Sequence, residues 1–122
     1  MFDWKKPTVQ MLGRWQPWHS GHTELFKKAI KKTGQVAILV RDISDKNNPF
    51  EFSQVVVNIR NTLEKEDYKM SEDYIVIKVP NIVDISYGRD VGYSITQHDL
   101  GEEVHSISAT EIRKDMRDKG QL

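Results

Sequence analysis

The chain has 122 residues, 38% of them hydrophobic, and its 18 basic and 18 acidic side chains cancel. That is enough apolar material for one core in one domain over residues 1–122, and zero net charge argues against a protein that coats nucleic acid or an anionic membrane surface. Cysteine is absent, which excludes disulfides, thiolate zinc sites and thiol nucleophiles; the opening MFDWKKPTVQ lacks an apolar signal core and no stretch approaches the roughly 20 apolar residues of a membrane helix, so a soluble, cytoplasmic protein is expected.

Thr8 to Leu12 is a short apolar run between Pro7 and Gly13, which predicts a buried strand ending in a turn. From Ser20 the period changes. Leu25, Phe26, Ala29 and Ile30 share one helical face, while Lys27, Lys28, Lys31 and Lys32 lie mostly away from it as a solvated face. Gly34 ends that helix, and Gln35 to Val40 is a continuous aliphatic run, the pattern of a strand buried on both faces. Strand, helix, strand predicts a right-handed unit with parallel strands. RDISDKNN, residues 41–48, then forms a loop at the carboxyl end of the second strand, the edge where open parallel sheets bind ligands.

Asn48 as N-cap, Pro49 in the first turn and Glu51 as the third-position acid predict a second helix, with Phe52, Val55, Val56, Ile59 and Leu63 as its buried stripe. Lys65 to Asp73 reads as loop, Tyr74 to Val79 as a third strand closed by Pro80, and Ile82 to Ile85 as its extension or successor. Ser86 to Gly101, with three glycines, reads as loop with a short element at most. Val104 to Ile107 is strand-like, and Ser108 to Glu111 matches a capping box for a last helix ending near Gly120. The whole is an α/β domain, a single-domain Rossmann-like parallel sheet flanked by helices.

Two segments carry chemistry. In GRWQPWHSGH, residues 13–22, a strand-to-helix turn presents free backbone N–H groups and the positive end of a helix dipole, and it gathers Arg14, His19, Gly21 and His22 at that point. Gly13 and Gly21 allow a tight turn and close ligand approach, and Pro17 stiffens it. A core histidine or a metal pair are the alternatives; a zinc site would need further ligands from His98, His105 or loop carboxylates. Trp15 and Trp18 read first as core filling. In SISATEIR, residues 106–113, the hydroxyls of Ser108 and Thr110, the helix N–H groups and Arg113 can converge on phosphates; the plain alternative is a cap worth about 1 kcal/mol.

The first segment resembles the HxGH motif of the nucleotidyltransferase superfamily (the cytidylyltransferase-like, HUP-type fold). Its GRFQPFHxGH style is that of nicotinamide mononucleotide adenylyltransferases, with Trp15 and Trp18 in place of phenylalanines. The second resembles the superfamily's ISSTxIR or SGTEIR motif. Asn48, Pro49 and Phe50 are similar to the NPF segment of archaeal-type members, whereas residues 86–106 are shorter than the family's corresponding stretch, the part that helps hold acceptor and base.

The resemblance implies transfer of a nucleoside monophosphate, AMP from ATP, to a phosphorylated small-molecule acceptor with release of pyrophosphate, nicotinamide mononucleotide being one candidate acceptor. It implies that His19, His22 and Arg113 are catalytic and that Gly13, Arg14, Trp15, Gly21, Ser108 and Thr110 bind the nucleotide. The acceptor phosphate is already a nucleophile, so positioning and electrostatics suffice. Magnesium is expected with the triphosphate, held by phosphate oxygens and water and not by a protein cage. Asp42, Asp45, Arg89 and Asp90 are second-rank candidates for ribose or acceptor contacts, Tyr87 and Tyr93 for base stacking, and His98 and His105 read as structural. Residues 103–110, EVHSISAT, lack the RTxGISTT lead-in of cytidylyltransferases, which favours ATP over a CTP-dependent enzyme acting on a phosphorylated alcohol. A nucleotide-binding regulatory module without turnover and a homo-oligomer that completes its site across subunits are the other readings; nucleic acid and membrane are not expected partners.

Overall fold

A computed structural model describes residues 1–89, 92–98 and 109–120. The aliphatic runs form three strands, β1 (Val9–Gly13), β2 (Val36–Arg41) and β3 (Tyr74–Val79), joined in one sheet in the order β1-β2-β3. Both pairings are parallel, with Met11 opposite Ile38 and Ile38 opposite Val76. Parallel neighbours need crossovers, and α1 (Ser20–Thr33) and α2 (Phe52–Glu64) supply them. A third helix, α3 (Ala109–Asp118), follows later in the chain. The arrangement is α/β, a parallel sheet flanked by helices, consistent with a Rossmann-like fold.

Burial alternates along β2: Val36, Ile38 and Val40 are fully enclosed, while Ala37, Leu39 and Arg41 on the other face are half-buried. The strand therefore has one deep face, where the reading of a run buried on both sides expected two. The enclosed face packs against Phe26 and Ala29 of α1 and Val55, Ile59 and Leu63 of α2, forming one cluster with Met11, Trp15, Trp18 and Tyr74. Phe26, wholly buried, meets the rings of Tyr68 and Tyr74 edge-on at 4.9 and 5.7 Å; removing such a ring costs about 3–5 kcal/mol.

Gly34 ends α1 with φ 87°, its N–H returning to Ile30 O at 2.7 Å, a left-handed cap that glycine adopts without penalty. The second helix starts later than the sequence suggests. Asn48 is not its N-cap, because its side chain donates to Asp45 Oδ1 at 2.9 Å within a turn closed by Asp45–Asn48 backbone bonds; Glu51 caps the helix, with Gln54 Oε1 accepting from its N–H at 2.9 Å. Residues 82–85 form no strand, and Val83 and Ile85 are exposed. The strand expected at Val104 to Ile107 and the capping box at Ser108 lie outside the described residues. No helix among the described residues is long and apolar enough to cross a membrane.

At the amino end of the sheet, Gln35 ties down the chain start: it accepts from Asp3 N–H at 3.1 Å and donates to Asp3 O and Thr8 Oγ1, each at 2.7 Å. The carboxyl ends of β1 and β2, opposite this tie, carry the turns where ligands bind in such sheets.

Candidate functional site

β1 ends at Gly13, whose conformation is ordinary; the positive φ of the turn belongs to Trp15, at 54°. Gly13 is required for another reason, since a Cβ there would come within 2.8 Å of the Trp15 ring. Trp15 is buried and donates its indole N–H to Leu39 O at 3.0 Å, which folds the turn back over β2. Trp18, also buried, donates to Thr23 Oγ1 at 2.9 Å. The tryptophans thus form the floor of the turn, with Trp15 edge-on beneath His22 at 4.8 Å. Gly21 likewise lies in helical backbone and not in a left-handed turn, and its N–H serves His19.

His19 is the N-cap of α1. Its Nδ1 accepts from Gly21 N–H at 3.0 Å, and Nδ1 of His22 accepts from His19 N–H at 3.1 Å, so two helix-start donors are satisfied reciprocally by imidazoles. The rings stack at 3.7 Å with 22° between their planes. An Nδ1 that accepts cannot carry a proton, so each neutral ring bears its hydrogen on Nε2. Charging either ring would place a proton on Nδ1 and break a cap bond. Burial lowers the His19 pKa, and burial together with the His19 charge lowers that of His22 to about 3. The turn therefore holds two neutral rings at the positive end of a 14-residue helix, and among the described residues neither Nε2–H donor has a partner.

Three arginines lie around this edge. Arg113, on α3, is 4% exposed and donates through Nη1 to Gln16 O. Burial depresses its pKa first, then the like charges of Arg14 and Arg117, partly offset by Asp45. Arg14 is exposed, and its charge also helps to hold the Asp45 carboxyl below the usual range, after the hydrogen bonds from Asn48 and Asn47. Arg117, one turn beyond Arg113, donates to Lys46 O at 2.5 Å. Nothing in the sequence pattern sets Arg117 apart from the other charged residues of this helix.

Beside the turn lies a cavity of about 410 Å³ lined by Gln16, Arg41, Asp42, Phe50, Phe52 and Lys78 among others. Asp42 belongs to it and pairs with Lys78 at 3.6 Å, both side chains exposed. Asp45 does not; its Oδ1 is occupied by Asn47 N–H and the Asn48 side chain. Arg89, Tyr87 and Tyr93 are exposed on the segment after β3, and His98 is half-buried there. Asp90, His105 and Ser108 lie outside the described residues, as does the side chain of Thr110, whose backbone is in the first turn of α3. No group of three or more His, Cys, Asp or Glu side chains that could hold a metal occurs among the described residues.

No protein-family model matches the chain. Curated proteins named nicotinamide-nucleotide adenylyltransferase do resemble it. One from Methanococcus maripaludis strain C5 is 33% identical over 60 residues, covering 47% of this chain and 35% of that protein. One from Saccharolobus solfataricus is 34% identical over 74 residues, covering 58% and 42%, and one from Ignicoccus hospitalis is 32% identical over 74 residues, covering 58% and 43%. The matched stretch thus spans less than half the length of these relatives. The likeness is to part of these adenylyltransferases, over about half of this chain.

Proposed function

We propose that this chain transfers AMP from ATP to a phosphorylated small molecule and releases pyrophosphate, with nicotinamide mononucleotide as the first acceptor to test. The observation that carries the reading is the histidine pair. Because both Nδ1 atoms are consumed by backbone N–H groups, both Nε2–H groups remain as preorganised donors above the start of α1. Such donors stabilise charge that develops on the α-phosphoryl oxygens without reorganising during reaction. The likeness to adenylyltransferases over part of the chain supports the same reading.

In the proposed reaction an oxygen of the acceptor phosphate attacks the α-phosphorus of ATP. A new P–O bond forms there while the bond to the bridging oxygen of the β-phosphate breaks in line, and pyrophosphate leaves with its electron pair. No side chain needs to take a proton. His19 and His22 would donate to the α-phosphate, and Arg14 and Arg113 would neutralise the phosphate chain, with Ser108, Thr110 and the start of α3 on the pyrophosphate portion. Gly13 would let the Trp15 floor close beneath the site. Magnesium would arrive with ATP, bound by phosphate oxygens and water. The acceptor would occupy the 410 Å³ cavity, whose walls offer the Lys78 cation and the Phe50 and Phe52 rings.

The test is pyrophosphate release from magnesium ATP with nicotinamide mononucleotide, in the parent and in His22→Ala. Release that falls by about 10² to 10³ in a variant shown to be folded is the expected result. Unchanged release in that variant removes the histidine assignment, and nucleotide binding without release for any phosphorylated acceptor leaves a binding module in place of an enzyme.

A further inference from the structure

Gln16 lies between the histidine turn and the cavity. It is 3% exposed, and a carboxamide that deep is costly unless it is paired. Its pairing is long-range. Oε1 accepts from Phe50 N–H at 2.9 Å and Nε2 donates to Phe50 O at 2.9 Å, so one side chain satisfies both backbone groups of a residue 34 positions away. Its own carbonyl accepts from Arg113, 97 positions away. Phe50 precedes α2, and with Glu51, Phe52 and Ser53 it forms one wall of the cavity.

We propose that Gln16 is a positioning residue that fixes the cavity wall at Phe50 against the phosphate turn, and so sets the distance between acceptor and α-phosphate. The inference rests on the reaction proposed above. In-line transfer needs its reacting atoms about 3–3.5 Å apart, and a misplacement of about 1 Å can cost about 10² in rate. The stretch from Asp42 to Glu51 forms no helix or strand; it is held at its start by Asp42 N–H on Val79 O, in its middle by the turn at Asp45 to Asn48 and by Arg117 on Lys46 O, and at its far end by Gln16. The bidentate pair supplies that hold at the end of the stretch that meets the acceptor.

The division of contacts makes the consequence selective. Arg113 uses the main-chain oxygen of Gln16, which survives a side-chain change, and the histidine caps do not involve Gln16. Gln16→Ala should therefore lose much less affinity for magnesium ATP, measured by calorimetry, than for the acceptor. With ATP and nicotinamide mononucleotide as the assayed pair, its KM for the mononucleotide should rise about tenfold and its kcat fall by up to about 10². Gln16→Met has a similar length and bulk but can neither donate to Phe50 O nor match the amide as acceptor for its N–H, so it should fail in the same way, whereas a space-filling role would be rescued by it. Amide exchange at Phe50 should quicken in both variants while Gly21 keeps its protection, which separates a lost tie from a lost fold. Equal losses on ATP and on the acceptor, rescue by methionine, or unchanged exchange at Phe50 would overturn the proposal. A parent that releases no pyrophosphate overturns the reaction itself, an outcome distinct from any of these.

Discussion

Two helices begin at the same edge of the sheet under the same local rule, yet they present opposite chemistry. At the start of α1 the capping groups are imidazoles, which accept backbone hydrogen bonds through Nδ1 and still keep a donor on Nε2. At the start of α2 the N-cap is Glu51 and the third residue is Gln54, whose Oε1 accepts from Glu51 N–H, so an acidic residue of the protein already stands at the positive end of the dipole. One cap leaves the helix end open to an anion and the other answers it internally. A capping pattern in a sequence therefore locates a helix, and the capping residue type decides whether that end serves a ligand.

Converting the first kind of start into the second should have the largest effect. His19→Asp replaces one good N-cap with another, so the folded state should stay within about 1 kcal/mol of the parent by denaturant midpoint. It removes one donor and adds a negative charge beside the phosphates, so pyrophosphate release should fall by at least about 10². Retained release would mean that capping, not anion binding, is the role of this histidine.

Acid should act next. His22 is held at about pKa 3 in the folded chain against about 6.5 when unfolded. The unfolded chain therefore takes up the proton first as pH falls. The contribution of this residue is fully present above pH 6.5 and is lost as the pH drops from there towards about 3, with a slope below the one-proton limit of about 1.4 kcal/mol per pH unit. Thermal midpoints between pH 7 and 4 in the parent and in His22→Gln check this; parallel curves would remove the neutral, cap-locked histidine from the account. The smallest effect belongs to the other helix. Glu51→Gln should cost about 0.3–1 kcal/mol of stability and leave ATP affinity within about twofold. A large gain in ATP affinity would show that α2 had been an anion site held shut by its own cap.

Much of the fold can be read from periodicity. β3 and the α1–Gly34 boundary follow from apolar spacing and one glycine, and the parallel sheet follows from the alternation of strand and helix. The start of α2 does not, because Asn48 is equally good as a cap and as a turn residue, and only the nearby Asp45 settles which role it takes. The histidines, Arg14 and Arg113 stand out by type and spacing. Arg117 does not, since one more arginine on a charged helix carries no distinguishing signal.

By itself the sequence determined the local events: where apolar runs become strands, where helices begin, and that His19 and His22 stand three apart at a helix start. Only the tertiary structure decided what those residues have left to offer. It put the Trp15 ring where a Cβ on Gly13 would collide, consumed both Nδ1 atoms in caps, brought Arg113 to Gln16 across 97 positions and spent Gln16 on Phe50. The reason is that hydrogen bonds saturate. A residue type announces how many donors and acceptors it has, and which remain for a ligand is known only after the folded chain has taken its share.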